Sequence, residues 1–341
     1  QPVAERPESV GIIGAGPAGL AAADMLRQRG YQVTIYDRYD RVGGLLIYGI
    51  PGFKLEKHVV QRRHDLLADG GVTFRMNVDI GVDISFEDIR TAHDAVLVAT
   101  GVYKARDINA PGVGMEGIVP ALDYLTASNR KSLGDAVPDF DSGTLNAKGR
   151  DVVVIGGGDT AMDCVRTAIR QEAHSVTCLY RRDRANMPGS QREVANAEEE
   201  GVVFKWLSAP QAFLGDNHVR AVQAQKIHLG QPDATGRQVP QVIDDSSHDI
   251  PADLVIKALG FDPEDLPVMF GTPELAVSKW GTIDIDWRTM MTSLPGVFAA
   301  GDIVRGASLV VWGVRDGRDA AAAIDSYIMA QSDAPQAAAG A

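Results

Sequence analysis

Two glycine-rich turns, each set between an apolar strand and a helix, constrain this chain more than any other feature. The first is Gly14-Ala15-Gly16-Pro17-Ala18-Gly19, preceded by Val10-Gly11-Ile12-Ile13 and followed by the helical stretch Leu20 to Arg29. In such a unit the first glycine permits the tight turn, the second lets the backbone approach a pyrophosphate, and the third lets the helix pack on the strand. Free N–H groups at the helix N-terminus then face the phosphates. Gly30 stops the helix, and Gln32-Val33-Thr34-Ile35-Tyr36 delivers Asp37 eighteen positions past Gly19. That is near the spacing of about 20 at which an acid accepts hydrogen bonds from a ribose diol. An isolated turn of this kind also occurs as plain structure, but here the pattern recurs.

The second copy runs Val152-Val153-Val154-Ile155, then Gly156-Gly157-Gly158-Asp159-Thr160-Ala161, then a helix from Met162 to Gln171. Ala161 stands where the third glycine would be, a substitution the pattern allows. The following strand, Ser175 to Tyr180, ends at Arg181-Arg182. An arginine pair is ordinarily solvated surface charge, but at the ribose-reading position a guanidinium pairs with a ribose 2'-phosphate. The two turns therefore predict two different nucleotides. The second is expected to carry a ribose 2'-phosphate, as NADPH does, and to bind through Gly156, Gly158, Asp159, Thr160, Arg181 and Arg182.

Further signals distinguish among dinucleotide proteins. Ala95-Val96-Leu97-Val98-Ala99-Thr100-Gly101 is an apolar strand ending in Thr-Gly, echoed by Leu254 to Gly260, and Gly296-Val297-Phe298-Ala299-Ala300-Gly301-Asp302 ends in Gly-Asp. With Gly43-Gly44-Leu45-Leu46 these residues resemble the flavoprotein family with two dinucleotide domains that includes adrenodoxin reductase and thioredoxin reductase. The resemblance implies FAD at Gly14 to Gly19 and Asp37, with Gly301-Asp302 on its ribityl and pyrophosphate part. It also implies Gly43, Gly44 and Leu45 against the flavin, and Thr100-Gly101 near the phosphates or flavin. Val78, on the third strand, would make a backbone contact to adenine. A helix beginning near Leu309 to Trp312 and running to Tyr327 would aim its positive end at the flavin pyrimidine, with Val311 and Trp312 touching the cofactors. From pattern alone that helix could equally be a packing element.

The match narrows at Gly43 to Pro51 (GGLLIYGIP), Gly156 to Arg166 (GGGDTAMDCVR), Tyr180 to Arg184 (YRRDR), Met187-Pro188 and Val311 to Ala320 (VWGVRDGRDA). In this order they closely resemble the small (β) subunits of bacterial NADPH-dependent glutamate synthase, and the related dihydropyrimidine dehydrogenase module. The resemblance implies hydride transfer from NADPH to FAD, then electron transfer through iron-sulfur clusters to a large (α) subunit in a hetero-oligomer. There glutamine and 2-oxoglutarate yield glutamate, a route of ammonia assimilation. Direct transfer between stacked rings needs no catalytic acid or base, and none is nominated.

One departure stands out. Family members carry a cysteine-rich N-terminal segment that helps bind clusters, whereas this chain has only Cys164 and Cys178. These are predicted as buried apolar side chains, and two lone thiols cannot supply a four-Cys cluster. The polar lead Gln1 to Ser9 reads as a linker, so the clusters are expected in a preceding segment or a partner. A disulfide reductase is disfavoured because no C-x-x-C pair is present. A ferredoxin- or adrenodoxin-type NADP reductase, using a separate iron-sulfur protein, is distinguished only by its acceptor. A redox-silent flavin scaffold would have no need of the second nucleotide site.

Composition agrees. The 341 residues, 45% hydrophobic, suffice for two domains, and a net charge of −12 disfavours nucleic acid while making Arg181-Arg182 a local positive patch. No histidine cluster has metal-ligand spacing, and Glu198-Glu199-Glu200 reads as a solvated helix end. Few cysteines and no long apolar run predict a soluble, cytoplasmic protein rather than a membrane one. The expected fold is α/β, with two Rossmann-like domains and a β-excursion in each. The FAD domain is discontinuous (residues 1–110 and 285–341) and the NADPH domain (residues 111–284) is inserted within it. Crossings fall near Gly101 to Pro120 and Thr282 to Pro295, Val219 to Ile227 and Val239 to Val242 form an antiparallel excursion, and Ala334 to Ala341 is a mobile tail.

Overall fold

The computed structural model describes residues 4–232 and 238–338. The chain forms two compact units, the first from Gln1–Ile47, Leu55–Lys104 and Phe261–Ala341, the second from Tyr48–Lys54 and Ala105–Gly260.

Five parallel strands of the first unit lie in the order Val297–Ala299, Ala95–Val98, Ser9–Ile13, Gln32–Asp37, Thr73–Met76. The second unit repeats the plan with Ile118–Pro120, Leu254–Lys257, Asp151–Ile155, Ser175–Leu179, Val203–Lys205. The apolar runs suit strands covered on both faces, and Ala95–Val98 is buried at every position. Each central strand runs into its glycine turn. The next strand in sequence lies on one side and a later strand on the other, so both turns occupy topological switch points, where open parallel sheets hold ligands.

Alternate strand residues feed two cores in each unit. In the first, Val10, Ile12, Ile35 and Leu97 pack with Leu26, Ala320 and Ile324 of the helices Pro17–Gln28 and Val310–Ala338. Ile13, Tyr36, Val96 and Val98 face a second cluster completed by Leu266, Phe270, Leu275 and Ile283. In the second unit Val152, Val154 and Ile256 pack with Met162, Cys164 and Val165 of the helix Asp159–Arg170. Its opposite face, Val153, Ile155 and Val255, is covered by Phe213, Val219, Val222 and Ile250. These come from the antiparallel excursion of Ser208–Gly215, Val219–Pro232, Gln238–Val242 and His248–Pro251.

The boundaries differ from the expected ones. Residues 261–284 join the first unit rather than the nucleotide insert, because Leu266, Phe270, Leu275 and Ile283 supply its second core. The chain therefore returns at Phe261, directly after Leu254–Lys257, and not at 285. In the place of a β-excursion the described residues of this unit form an irregular layer, with the two-residue strand Phe261–Asp262 and isolated antiparallel bridges such as Val277 to Ile283 and Asp286 to Met291. The short detour Tyr48–Lys54 into the second unit was not foreseen. The helix Val310–Ala338 takes in the first part of the expected mobile tail, while 339–341 and Gln1 to Val3 lie outside the described residues.

The helix Val310–Ala338 packs tightly on Pro17–Gln28. A Cβ at Gly317 would lie 2.1 Å from the Ala18 carbonyl oxygen, whereas one at Gly313 would meet nothing closer than 3.7 Å. On the same helix Asp316, 1% exposed, takes two hydrogen bonds from the Arg305 guanidinium, at 2.5 and 2.7 Å. In chemical denaturation Gly317→Ala should destabilise the first unit by about 1–3 kcal/mol, as overpacking does, while Gly313→Ala leaves it within about 0.5 kcal/mol.

Glu200 is not the solvated helix end expected. It accepts hydrogen bonds from both Arg166 and Arg170, which draw its carboxyl down to about 2 from an ordinary 4.5, the Arg170 contribution being largest. A carboxylate depressed in the folded state stabilises above its unfolded pKa and loses that contribution as pH falls toward the folded one. The stability difference between wild type and Glu200→Gln should therefore shrink between about pH 4.5 and pH 2 in a urea series. A difference independent of pH would contradict the pairing.

Candidate functional site

In the first unit, backbone geometry concentrates the predicted residues at one end of the sheet. Gly14 has φ +112, and a Cβ there would strike the Ala99 carbonyl at 2.3 Å, so only glycine lets this turn pass the neighbouring strand. A Cβ on Gly19 would lie 2.0 Å from the Gly14 oxygen. Gly16 is different, because a Cβ there meets no protein atom within 4 Å. The open side of Gly16 is a cradle that suits a phosphate approaching the backbone. The helix after it starts with Pro17 and has no side-chain cap, which leaves its N-terminal N–H groups for a ligand.

Asp37 sits at the edge of this cradle. Its two oxygens accept the N–H groups of Ala15 (2.7 Å) and Tyr39 (2.8 Å), and burial raises its pKa while those donors oppose the rise. Each carboxylate oxygen keeps a further lone pair for a ribose hydroxyl. Gly43 donates to the Ala15 carbonyl at 2.9 Å, and a Cβ on Gly44 would come within 3.2 Å of the Gly16 Cα. The turn carrying Gly43, Gly44 and Leu45 is thereby laid against the first. The Thr100 hydroxyl is buried without a hydrogen-bond partner, and Gly101 follows at φ +72. Gly301 faces Ala18, and Asp302, whose pKa burial raises, accepts from Ser308 Oγ at 2.6 Å. Val311 and Trp312 open the last helix, 66% and 41% exposed, beside Gly313, which approaches Pro17 and Ala18.

One position needs correction. Val78 lies beyond the third strand, which ends at Met76 because Asn77 adopts a left-handed φ of +56. The Val78 N–H donates to the Asp37 carbonyl at 2.9 Å, so it remains close to that residue.

The sequence did not reveal a cluster beside Asp37. The Arg38 guanidinium lies 5.4 Å from the centre of the Tyr39 ring and 5.0 Å from that of Tyr103, and forks onto Glu264 with two hydrogen bonds of 2.9 Å. It ties the residues after Asp37 to those after Gly101 and to the returning segment. No local pattern announces a partner 226 residues away.

The second unit has a parallel site. Gly156, at φ +150, would press a Cβ onto the Ala258 carbonyl at 2.1 Å, and Gly157 is filled by the Tyr180 ring, whereas Gly158 again meets nothing within 4 Å. Its helix also lacks a side-chain cap. Asp159 Oδ1 accepts the Ser190 N–H at 3.0 Å, and Gly189 donates to the Gly157 carbonyl at the same distance. Asp159 thus fastens the 181–190 loop over the turn. Thr160, next to it, is half-buried in the first turn of the helix.

Among the described residues Arg181 has no ion-pair partner, and Arg182 Nε is buried without a hydrogen bond. Arg184 is instead engaged by Glu198 at 2.8 Å, and Arg166 and Arg170 by Glu200. Among the described residues Arg181 and Arg182, just past the end of the second strand of this unit, are thus left without a carboxylate partner. Cys164 and Cys178 are buried and free; burial drives the first thiol pKa well up and the second to about 12, which suits packing rather than redox chemistry. Among the described residues no cluster could bind a metal and no helix is long and apolar enough to cross a membrane.

Comparison with known proteins fits this geometry. Residues 8–325 match the pyridine nucleotide-disulphide oxidoreductase family. A glutamate synthase [NADPH] small chain of Azospirillum brasilense is 67% identical over 329 residues, 96% of this chain and 68% of that protein. The protein of the same name from Escherichia coli K12 is 41% identical over 326 residues, 94% of this chain and 69% of that one. The structure of Mycobacterium tuberculosis FprA in complex with NADPH superposes with a TM-score of 0.80 at 19% identity, covering 98% of this chain and 86% of that one, a likeness of fold.

The two cradles separate folding from binding. Gly16→Ala should leave apoprotein stability within about 1 kcal/mol, since its Cβ meets open space, yet lower FAD retention at least about tenfold. Gly14→Ala should unfold more readily. Full FAD content in Gly16→Ala would show that the open side of Gly16 does not receive the cofactor.

Proposed function

This chain belongs to the pyridine nucleotide-disulphide oxidoreductase family and, within it, with the small chains of NADPH-dependent glutamate synthase, and from that we propose how its two sites divide the work. It is an NADPH-dependent flavoprotein oxidoreductase. The first unit holds FAD and the second NADPH. Electrons leave through iron-sulfur clusters, outside this chain, for a large subunit that forms glutamate from glutamine and 2-oxoglutarate, in a cytoplasmic hetero-oligomer.

One observation carries this division. The two turns share the same backbone, with an open central glycine and an uncapped helix, but the groups reading the ribose have opposite charge: Asp37 in one, and in the other Arg181 and Arg182, which have no ion pair among the described residues. A carboxylate suits a ribose diol and repels a 2'-phosphate, whereas the arginines do the reverse. When bound, FAD supplies the acceptor for a hydride from NADPH, which no side chain of this chain could provide.

The residues present fit both nucleotides. Gly16 and the N–H groups after it would bind the FAD pyrophosphate, and Asp37 the adenosine ribose. Asp302 and the unpartnered Thr100 hydroxyl would bind the polar parts beyond. The start of Val310–Ala338 would set N–H groups and the Trp312 ring beside the flavin and keep water from it. Gly158 would receive the NADPH pyrophosphate, with Asp159 holding the loop that brings Arg181 and Arg182 into place. The two buried thiols leave the disulphide chemistry of the family name without a counterpart in this chain.

Anaerobic titration of the FAD-loaded protein tests this reading. NADPH should bleach the flavin band near about 450 nm far faster than NADH. Arg181→Ala with Arg182→Ala should raise the KM for NADPH about 10–100-fold, the worth of charge-assisted hydrogen bonds to a phosphate, and leave that for NADH nearly unchanged. Equal effects on both would refute the 2'-phosphate assignment.

A further inference from the structure

The detour Tyr48–Lys54 leaves the first unit for only seven residues, yet it is bound to the second by unusually many contacts. The buried Asn129 donates to the Tyr48 carbonyl at 2.8 Å, and the Arg130 guanidinium covers the Tyr48 ring. Phe53 lies under the guanidinium groups of Arg166 and Arg170, at 4.9 and 3.8 Å from its ring centre. Lys54 Nζ reaches Asp163 at 2.7 Å and Glu193 at 3.4 Å. Asp163 is 7% exposed and stands one turn past Asp159 on the helix that begins at Gly158. Its burial pushes the carboxyl up to about 6 against the pull of Lys54.

Both ends of the detour are tied to the Gly43-Gly44 turn. The Gly43 and Gly44 carbonyls accept the N–H groups of Leu46 and Ile47, forming the one-turn helix Leu45–Tyr48 that runs straight into the detour. On the returning side Lys57 donates to the Leu46 carbonyl at 3.0 Å, and Val60 fills the space where a Gly43 Cβ would stand. The chain therefore runs from Gly44 through Tyr48 to Lys54, whose ammonium is held by the helix that begins at the Gly156–Thr160 turn.

We infer that residues 48–54 are a strap through which occupancy of the Gly156–Thr160 turn is felt at the Gly43-Gly44 turn, with Lys54 and Phe53 as positioning residues. This rests on the assignment of FAD to the first unit and NADPH to the second. A nucleotide ordering the start of the Asp159–Arg170 helix would stiffen the anchor of Lys54 and Phe53 and hence the turn beside the flavin. The two sites are then linked before the nicotinamide reaches the flavin.

The probe is 2'-phospho-ADP-ribose, which carries the 2'-phosphate and the pyrophosphate but no nicotinamide to stack on the flavin. Added to the FAD-loaded protein, it should shift the flavin absorption and circular dichroism. Phe53→Ala and Lys54→Met should still bind the fragment by calorimetry, with an affinity changed by no more than the coupling lost, and lose the shift, and Lys54→Arg should recover it. Should Lys54→Met fail to retain FAD, Phe53→Leu and Lys54→Arg decide, the first weakening the shift and the second preserving it. An undiminished shift in the Phe53 variants, or fragment binding to wild type with no shift, overturns the strap. Bleaching of the same wild-type sample by NADPH would leave the functional reading intact in that case, whereas absence of bleaching would count against that reading itself.

Discussion

The constraint on which both units are built is the close approach of a turn backbone to the neighbouring strand. At Gly14 and Gly156 the space for a side chain is taken by the carbonyls of Ala99 and Ala258, at 2.3 and 2.1 Å. Because nothing larger than hydrogen fits, the central strand can end beside a parallel neighbour and still turn at once into a helix. That fixes where each helix begins, and with it a set of unbonded N–H groups at a switch point of the sheet. In the first unit Asp37, the Thr100-Gly101 strand end and the packing of the last helix are all arranged around this geometry.

Given two nearly equivalent cradles, charge distinguishes them. The chain is acidic, and many of its arginines are committed: Arg305 to Asp316, Arg166 and Arg170 to Glu200, Arg184 to Glu198, Arg38 to Glu264. Arg181 and Arg182 have no ion pair among the described residues, and they stand just past the end of the second strand of their unit. A cation whose charge is already met by a carboxylate contributes little to recruiting an anion, so the pairing pattern narrows which residues can read a phosphate.

The second unit also shows how one helix can serve two purposes. Asp159–Arg170 presents its first turn to the nucleotide site, while Asp163, Arg166 and Arg170 on later turns engage Lys54, Phe53 and Glu200. Interactions of this density stiffen a short segment that has little secondary structure of its own. The buried Asp163, with its carboxyl near 6, tolerates its position only because Lys54 lies beside it.

The glycine turns, the apolar strands before them and the contrast between Asp37 and Arg181-Arg182 were legible in the sequence, because each depends on backbone conformation or burial within a few residues. Cys164 and Cys178 were legible as packing residues for the same reason. Other features depend on groups far apart in the chain. Residues 261–284 join the first unit through apolar packing that no spacing encodes, and Arg38 meets Glu264 only after both segments return to one end of the sheet. Glu200 looked solvated until two helices brought Arg166 and Arg170 to it. The sequence settled the local turns and the charge at or just past the end of the second strand of each unit, since short-range sterics suffice for them. The domain boundaries, the detour of residues 48–54 and the pairing of Glu200 with Arg166 and Arg170 came from the tertiary structure, because burial and ion pairing depend on distances in space that the order of residues does not express.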